Sequence, residues 1–253
     1  MYLWRVPTRL STIAIDAIGV RPLLHGSDAI GVRPLLHGEK RLLILIFSRD
    51  KRGQTPAQME RETIVVYGAS SAEAEKVFVD AAFELGGLIA KSGKRLVSGA
   101  GSTGLMAAVE NGALDAGGVS IGIIPQFMVD NGWLHEGLTE VIITPTMHER
   151  KNRMAKMADA VIALPGGTGT FEELFEIITW KMLGLFVKPI IILNTDHYYD
   201  PLLEMLERTA QRHFMNPVFK SLWAVAQTPE QALSLVDSLS DWNDLTSKVN
   251  IDK

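Results

Sequence analysis

Cysteine is missing from all 253 residues, which excludes disulfide bonds and a thiolate nucleophile and makes the cytoplasm the expected compartment. Long apolar runs are missing too. The longest in the first part of the chain, residues 42–47, falls far short of the roughly 20 residues that a membrane helix needs, so no membrane partner is expected. Residues 1–18 lack the apolar centre of a signal peptide, because Arg5, Pro7, Arg9 and Asp16 interrupt them. Positive charge is scarce where a nucleic acid would need it. Residues 1–61 carry 10 Lys+Arg and 5 Asp+Glu, which leaves 15 against 24, a net −9, for the remainder. Nucleic-acid binding rests on many basic groups facing phosphates, so no nucleic-acid partner is expected, whereas one local site for a small anion is compatible. A zinc helix is also lacking: His148-Glu149 begins one, but position 152 is Asn and no second histidine follows at the required step, so no metal is expected.

The composition that remains, 47% hydrophobic, is enough to bury a full core, and the length implies one domain or at most two. The segment at 1–61 is an N-terminal extension in which residues 16–26, DAIGVRPLLHG, return as 28–38 at a period of 12. Two copies are too few for a solenoid. They mark either an extension partly ordered against the domain or, the preferred reading, a tandem duplication under weak structural constraint, with His25 and His37 as duplicated bystanders. The extension is expected to be poorly ordered, the domain to span 62–240, and the polar tail 241–253 to fray.

From residue 63 onward strands and helices alternate. Strands are predicted at 63–67, 95–98, 119–124, 141–144, 160–164, 189–193 and 222–225. Helices are predicted after a capping box at Ser70 and Glu73, at 103–116, around Met147, after Thr170, at 201–214 and at 229–239. Short apolar strands separated by helices imply an α/β fold, a Rossmann-like doubly wound parallel sheet with helices on both faces and ligands at the carboxyl ends of the strands. Three glycine-bearing turns fall at such ends. The first contains Ser70. The second, Gly99-Ala100-Gly101-Ser102-Thr103-Gly104, matches G-x-G-x-x-G, yet a dinucleotide site also wants an acid about 20 residues further on, and the next strand instead ends in Pro125. No cofactor is therefore expected; the glycines let a helix pack close to the sheet and leave room for a substrate beside Gly101.

The third turn lies in the stretch around which the chain is organised. Met147, Arg150, Met154 and Met157 recur at helical steps, so Arg150 shares a face with methionines and needs a partner there, as a snorkelling side chain, a structural ion pair or a functional group. An apolar strand follows, and then Pro165-Gly166-Gly167-Thr168-Gly169-Thr170 leads into a helix with Phe171, Leu174, Phe175, Ile178 and Met182 at packing spacing. A glycine loop at a helix N-terminus suits a phosphate. Glu173 is read in two ways: with Thr170 it forms a capping box, or it faces the hydroxyls of a ribose whose phosphate the loop holds. Trp180, Met182, Leu183, Leu185 and Phe186 form an apolar patch, core or interface.

The order M-H-E-R-K at 147–151 and P-G-G-x-G-T-x-x-E at 165–173 resembles the Lonely Guy family of nucleoside 5′-monophosphate phosphoribohydrolases, best known for releasing free cytokinins. The resemblance covers about 64–237. It implies that Arg150 and Glu173 are the catalytic pair, that Gly166, Gly167, Thr168, Gly169 and Thr170 hold the phosphate, and that Lys151, Thr179, Ser70, Gly101 and Met147 line the substrate site. The implied reaction is hydrolysis of the N-glycosidic bond of AMP or an N6-modified relative to free base and ribose 5-phosphate, in a homodimer. The alternative is a non-catalytic nucleotide or molybdenum-cofactor carrier of the same fold. Ala69, Ala100 and Ala107 stand where the family usually has glycine, which puts the preferred base in doubt. Removing residues 1–58 is expected to leave a soluble protein with an unchanged melting temperature; aggregation of the shortened chain would make the extension part of the fold.

Overall fold

A computed structural model describes residues 62–239, together with the backbone of 35–37 and 40–42. In the latter, Leu35–His37 (β1) and Lys40–Leu42 (β2) pair antiparallel, Leu35 opposite Leu42. Most of the predicted extension and the whole of the polar tail lie outside the described residues.

The larger unit alternates as the hydrophobic pattern requires: β3 (Thr63–Tyr67), α1 (Lys76–Lys91), β4 (Arg95–Ser98), α2 (Gly104–Asp115), β5 (Val119–Pro125), α3 (Gln126–Asp130), β6 (Glu140–Thr144), α4 (Met147–Met157), β7 (Ala160–Ala163), α5 (Thr168–Met182), β8 (Ile190–Leu193), α6 (Asp200–Gln211), β9 (Ala224–Ala226) and α7 (Pro229–Ser238). Seven strands form one sheet in the order β6-β5-β4-β3-β7-β8-β9, and every pair is parallel. This is the Rossmann-like doubly wound sheet that the sequence predicts. This unit starts at the centre with β3, winds outward to β6, returns beside β3 as β7 and winds outward again to β9. The carboxyl ends of β3 and β7 therefore border the crevice where the winding reverses, and the turns after both strands open into it.

Each central strand buries both faces, since alternate side chains point to opposite sides. Ile64, Val66, Ala160 and Ile162 pack with Leu85 and Ile89 of α1, Val109 of α2 and Ala232 of α7. Val65, Tyr67, Val161 and Ala163 pack with Met154 of α4 and Leu174 and Ile178 of α5. No helix among the described residues is long and apolar enough to cross a membrane.

Four local expectations need correction. Ser70 and Glu73 form no capping box: α1 starts at Lys76 after Glu75, which makes no side-chain cap. The segment before it is engaged by α2 instead, as Ser70 O accepts from Thr103 Oγ1 at 2.6 Å and Ala69 O accepts from Met106 N at 3.1 Å. Thr170 is no N-cap either, because α5 starts two residues earlier, after Gly167. The buried stripe of α5 is Thr170, Leu174, Ile177, Ile178 and Lys181, which turns the predicted packing residue Phe175 outward. The strand predicted from residue 222 begins at Ala224, since Asn216 caps Val218 N at 3.0 Å and opens a 3-10 helix over Pro217–Leu222.

The helices α1 and α2 touch through glycines. A Cβ at Gly112 would stand 1.9 Å from Phe83 O, and one at Gly86 2.0 Å from Val109 O, both immovable backbone atoms. At Gly87 the nearest atom to an added Cβ would be Gly112 O at 3.6 Å, an ordinary contact. Gly112→Ala is expected to force the helices apart at a cost of about 1–3 kcal/mol, whereas Gly87→Ala should leave or slightly raise stability through helix propensity. Thermal denaturation of the two variants reads the difference; equal melting temperatures would contradict the close approach.

Candidate active site

The site is built outward from Arg150. Thr146 caps α4 by accepting from Glu149 N at 3.2 Å, and the residue one turn in is aimed back at the ends of the sheet strands. There the Arg150 Nε donates to Ile123 O of β5 at 3.0 Å and Nη2 to Gly99 O, in the turn after β4, at 3.3 Å. The side chain is buried, 5% exposed, which rules out the snorkelling reading. Gly99 is required by this approach, since a Cβ on it would lie 1.8 Å from Nη2.

The remaining nitrogen, Nη1, lies 3.8 Å from Glu173 Oε1 in the first turns of α5 and 3.7 Å from Met147 Sδ. At 3.8 Å the two charges attract without a hydrogen bond between them, so both groups keep capacity to bind something else. Burial pushes the Glu173 carboxyl above the usual range, and the Arg150 charge draws it partly back. Beside this pair Lys151 Nζ donates to Glu172 and, at 3.2 Å, to Glu176, tying α4 to α5. Burial alone would lower the Lys151 ammonium, but the two carboxylates hold it above its ordinary value.

The glycine loop closes the site from the other side. Pro165 O accepts from Ala69 N at 3.2 Å, Gly166 O from the Tyr198 hydroxyl at 2.6 Å, and Leu164 O from the Tyr199 hydroxyl at 2.7 Å. With those carbonyls held, the next N–H groups, of Thr168, Gly169 and Thr170, begin α5 and have no acceptor within the helix. Gly166 is sterically required, because an added Cβ would meet Thr170 Oγ1 at 2.1 Å, whereas Cβ atoms at Gly167 and Gly169 would meet nothing within 4 Å. These two glycines leave open space at a helix N-terminus, the geometry that suits an anion.

The structure thus brings Arg150, Glu173, Met147 and Lys151 together next to the 166–170 loop. Ser70 is exposed on the turn after β3, and Gly101 is buried against Met106, whose Cε would lie 3.1 Å from an added Cβ. Thr179 is exposed on α5, one turn beyond Glu176. Several residues of the site carry no signal that sequence reasoning used. Tyr67, the last residue of β3, is buried, and its hydroxyl is raised first by burial and then by the charges of Glu173 and Glu176. Its position at a strand's carboxyl end was the available clue. Tyr198 and Tyr199 come from a turn more than 30 residues further along the chain than the carbonyls they hold, a pairing that no local pattern reveals.

Known proteins bear on this arrangement. A family model described as possible lysine decarboxylase matches residues 106–236. A cytokinin riboside 5′-monophosphate phosphoribohydrolase of Rhodococcoides fascians is 44% identical over 155 residues, 61% of this chain and 78% of that protein. One from Arabidopsis thaliana is 37% identical over 187 residues, 74% of this chain and 88% of its own. Among solved structures, a molybdenum cofactor binding protein of Rippkaea orientalis superposes with a TM-score of 0.57 at 28% identity, over 71% of this chain and 98% of that one.

The charge coupling across the site is testable without any ligand. Arg150→Met keeps a buried stem and removes the positive charge that holds Glu173 down, so the Glu173 midpoint, followed by 13C NMR of its carboxyl carbon, is expected to move to higher pH. An unmoved midpoint would mean that the two groups do not interact.

Proposed function

This chain belongs to the Lonely Guy family of nucleoside 5′-monophosphate phosphoribohydrolases, and from that premise we propose that it is an N-glycosidase acting on cytokinin riboside 5′-monophosphates and on AMP. The observation that carries the reading is the pair of buried Arg150 and partly buried Glu173, 3.8 Å apart and not hydrogen-bonded, beside a helix N-terminus with open N–H groups. Water and the nucleotide would yield free base and ribose 5-phosphate.

In this reading the 166–170 loop holds the 5′-phosphate, and that binding, remote from the bond that breaks, fixes the sugar in its reactive pose. Cleavage of the glycosidic bond builds positive charge on the ribose. The Glu173 carboxylate stabilises that charge and accepts from the sugar hydroxyls, while Arg150 orients the nucleotide and assists departure of the base. Lys151, Thr179, Ser70, Gly101 and Met147 line the substrate site. Because Glu173 must be ionised and burial raises its pKa, activity is expected to fall as pH drops through that raised value. The reading includes a cytoplasmic homodimer; exposed Leu183 and Leu185, following α5, offer apolar surface for it.

The second reading, a non-catalytic carrier, is favoured by the likeness to the molybdenum cofactor binding protein. Incubation with AMP separates the two, since a carrier releases no adenine.

Two further outcomes follow from the assigned roles. AMP should be cleaved and adenosine hardly at all; comparable kcat/KM for both would remove the phosphate from the loop. Glu173→Gln should lower kcat by roughly 100-fold or more, on the order of 3 kcal/mol of lost transition-state stabilisation, and leave the melting temperature nearly unchanged. Wild-type turnover in that variant would overturn the mechanism.

A further inference from the structure

Glu110 has no part in this scheme, yet it is the most conspicuous charged residue type in the interior. It sits in the middle of α2, 0% exposed, between Val109 and Asn111. One carboxyl oxygen accepts the Ser98 hydroxyl hydrogen, and the other, Oε2, has no hydrogen-bond partner among the described residues. A buried polar atom left unpaired is costly and calls for an explanation.

Burial disfavours the charged form there, so the carboxyl is held as the neutral acid, and its bonded oxygen ties it to Ser98. Its Oγ also accepts from Ala100 N at 3.2 Å, so the hydroxyl links Glu110 to the turn after β4. That turn is strained: Ala100 is fully buried with φ of 60°, a left-handed conformation that an L side chain rarely adopts. From the opposite side the segment after α3 clamps it, with Ser102 N donating to Trp133 O at 2.9 Å and His135 N to Ala100 O at 3.0 Å. Between the two clamps lies Gly99, whose carbonyl accepts from Arg150 Nη2. The turn is a short, stiff link with Glu110 at one end and the guanidinium at the other.

We propose that Glu110 is a positioning residue for the hydrolytic reaction: as a neutral acid on Ser98 it fixes the 98–101 turn so that the Gly99 carbonyl holds Arg150 at Glu173. The inference rests on the hydrolase reading. Loss of the Glu110 proton then introduces a second buried carboxylate that competes with Glu173 for Arg150. Burial pushes Glu110 up to about 8, against the Ser98 and Ala100 hydrogen bonds and the Arg150 charge, which draw it down. Arg150, from α4, is the charged group that acts on it; Ser98 and the turn backbone contribute neutral partners, and α1 meets α2 through the backbone of Phe83 and Gly86. Since the folded-state value is raised, the stability contributed by the neutral acid is present below its ordinary value near 4.5 and is lost as pH rises towards about 8.

The test uses the full chain and AMP from pH 6 to 9.5. Wild-type kcat/KM should fall above about pH 8. Ser98→Ala should lower kcat at pH 7 about tenfold or more, with KM changed little because the phosphate loop is untouched. Glu110→Ala should show the same kcat loss, Glu110→Gln should rescue most of it and should lack the alkaline fall, and its melting temperature should gain on wild type as pH rises. A Glu110→Gln enzyme that keeps the wild-type alkaline fall, or a Ser98→Ala enzyme with unchanged kcat, overturns the proposal. The 15N resonance of Arg150 Nε gives a reading independent of turnover: it should titrate near pH 8 in wild type and be flat in Glu110→Gln. A wild type that titrates in this way but releases no adenine from AMP would refute the hydrolase reading and leave the Glu110–Arg150 link standing; an Arg150 signal that does not titrate refutes the link itself.

Discussion

A guanidinium offers five N–H donors and no acceptor, so burying that of Arg150 obliges the surrounding structure to supply acceptors. Two of them are backbone carbonyls, Ile123 O of β5 and Gly99 O in the turn after β4, a third is Met147 Sδ, and the Glu173 carboxylate across the crevice balances the charge from 3.8 Å without a hydrogen bond. The carbonyls fix the side chain to the sheet, and the carboxylate couples the sheet to α5. This one side chain therefore sets the distance between α4, the β4 and β5 ends, and the helix that carries the glycine loop.

The winding of the sheet makes that arrangement attainable. β3 and β7 are neighbours although more than 90 residues separate them in the chain, and their adjacency brings the turn after β3 against the loop after β7, Ala69 N on Pro165 O. Tight packing elsewhere serves the same end. Gly86 and Gly112 let α1 and α2 approach until backbone meets backbone, and Gly104, with φ of 68° and the carbonyls of 69 and 71 close by, seats the start of α2 on the turn beside the crevice. The Ser70–Glu73 cap fails for this reason: the turn's carbonyls are used by α2.

Charges in the crevice are arranged in opposed sets. Glu172 and Glu176 face Lys151, which leaves Glu173 to Arg150. Glu173 and Glu110 are both raised by burial and both feel the Arg150 charge, so the guanidinium stands between two carboxyls whose ionisation it favours and whose burial opposes it.

Periodicity in the sequence determined the alternation of strands and helices, the parallel sheet and the three glycine turns at strand ends, because apolar spacing and turn residues are local signals. The same local signal, joined to the family resemblance, pointed to Arg150, Glu173 and the 165–170 loop. The capping signals at Ser70 and Thr170 are overruled in two ways: α2, distant in the chain, engages residues 69–71, and Thr170, packed against Gly166 four residues earlier, already lies inside the first turn of α5. Only the tertiary structure decided that Arg150 binds two carbonyls 27 and 51 residues away, that Tyr198 and Tyr199 brace the glycine loop, and that Glu110 is buried on Ser98. Those are contacts between residues remote in sequence, and a hydrogen bond of that kind leaves no period in the chain to read; it exists only once the sheet has brought the two ends together.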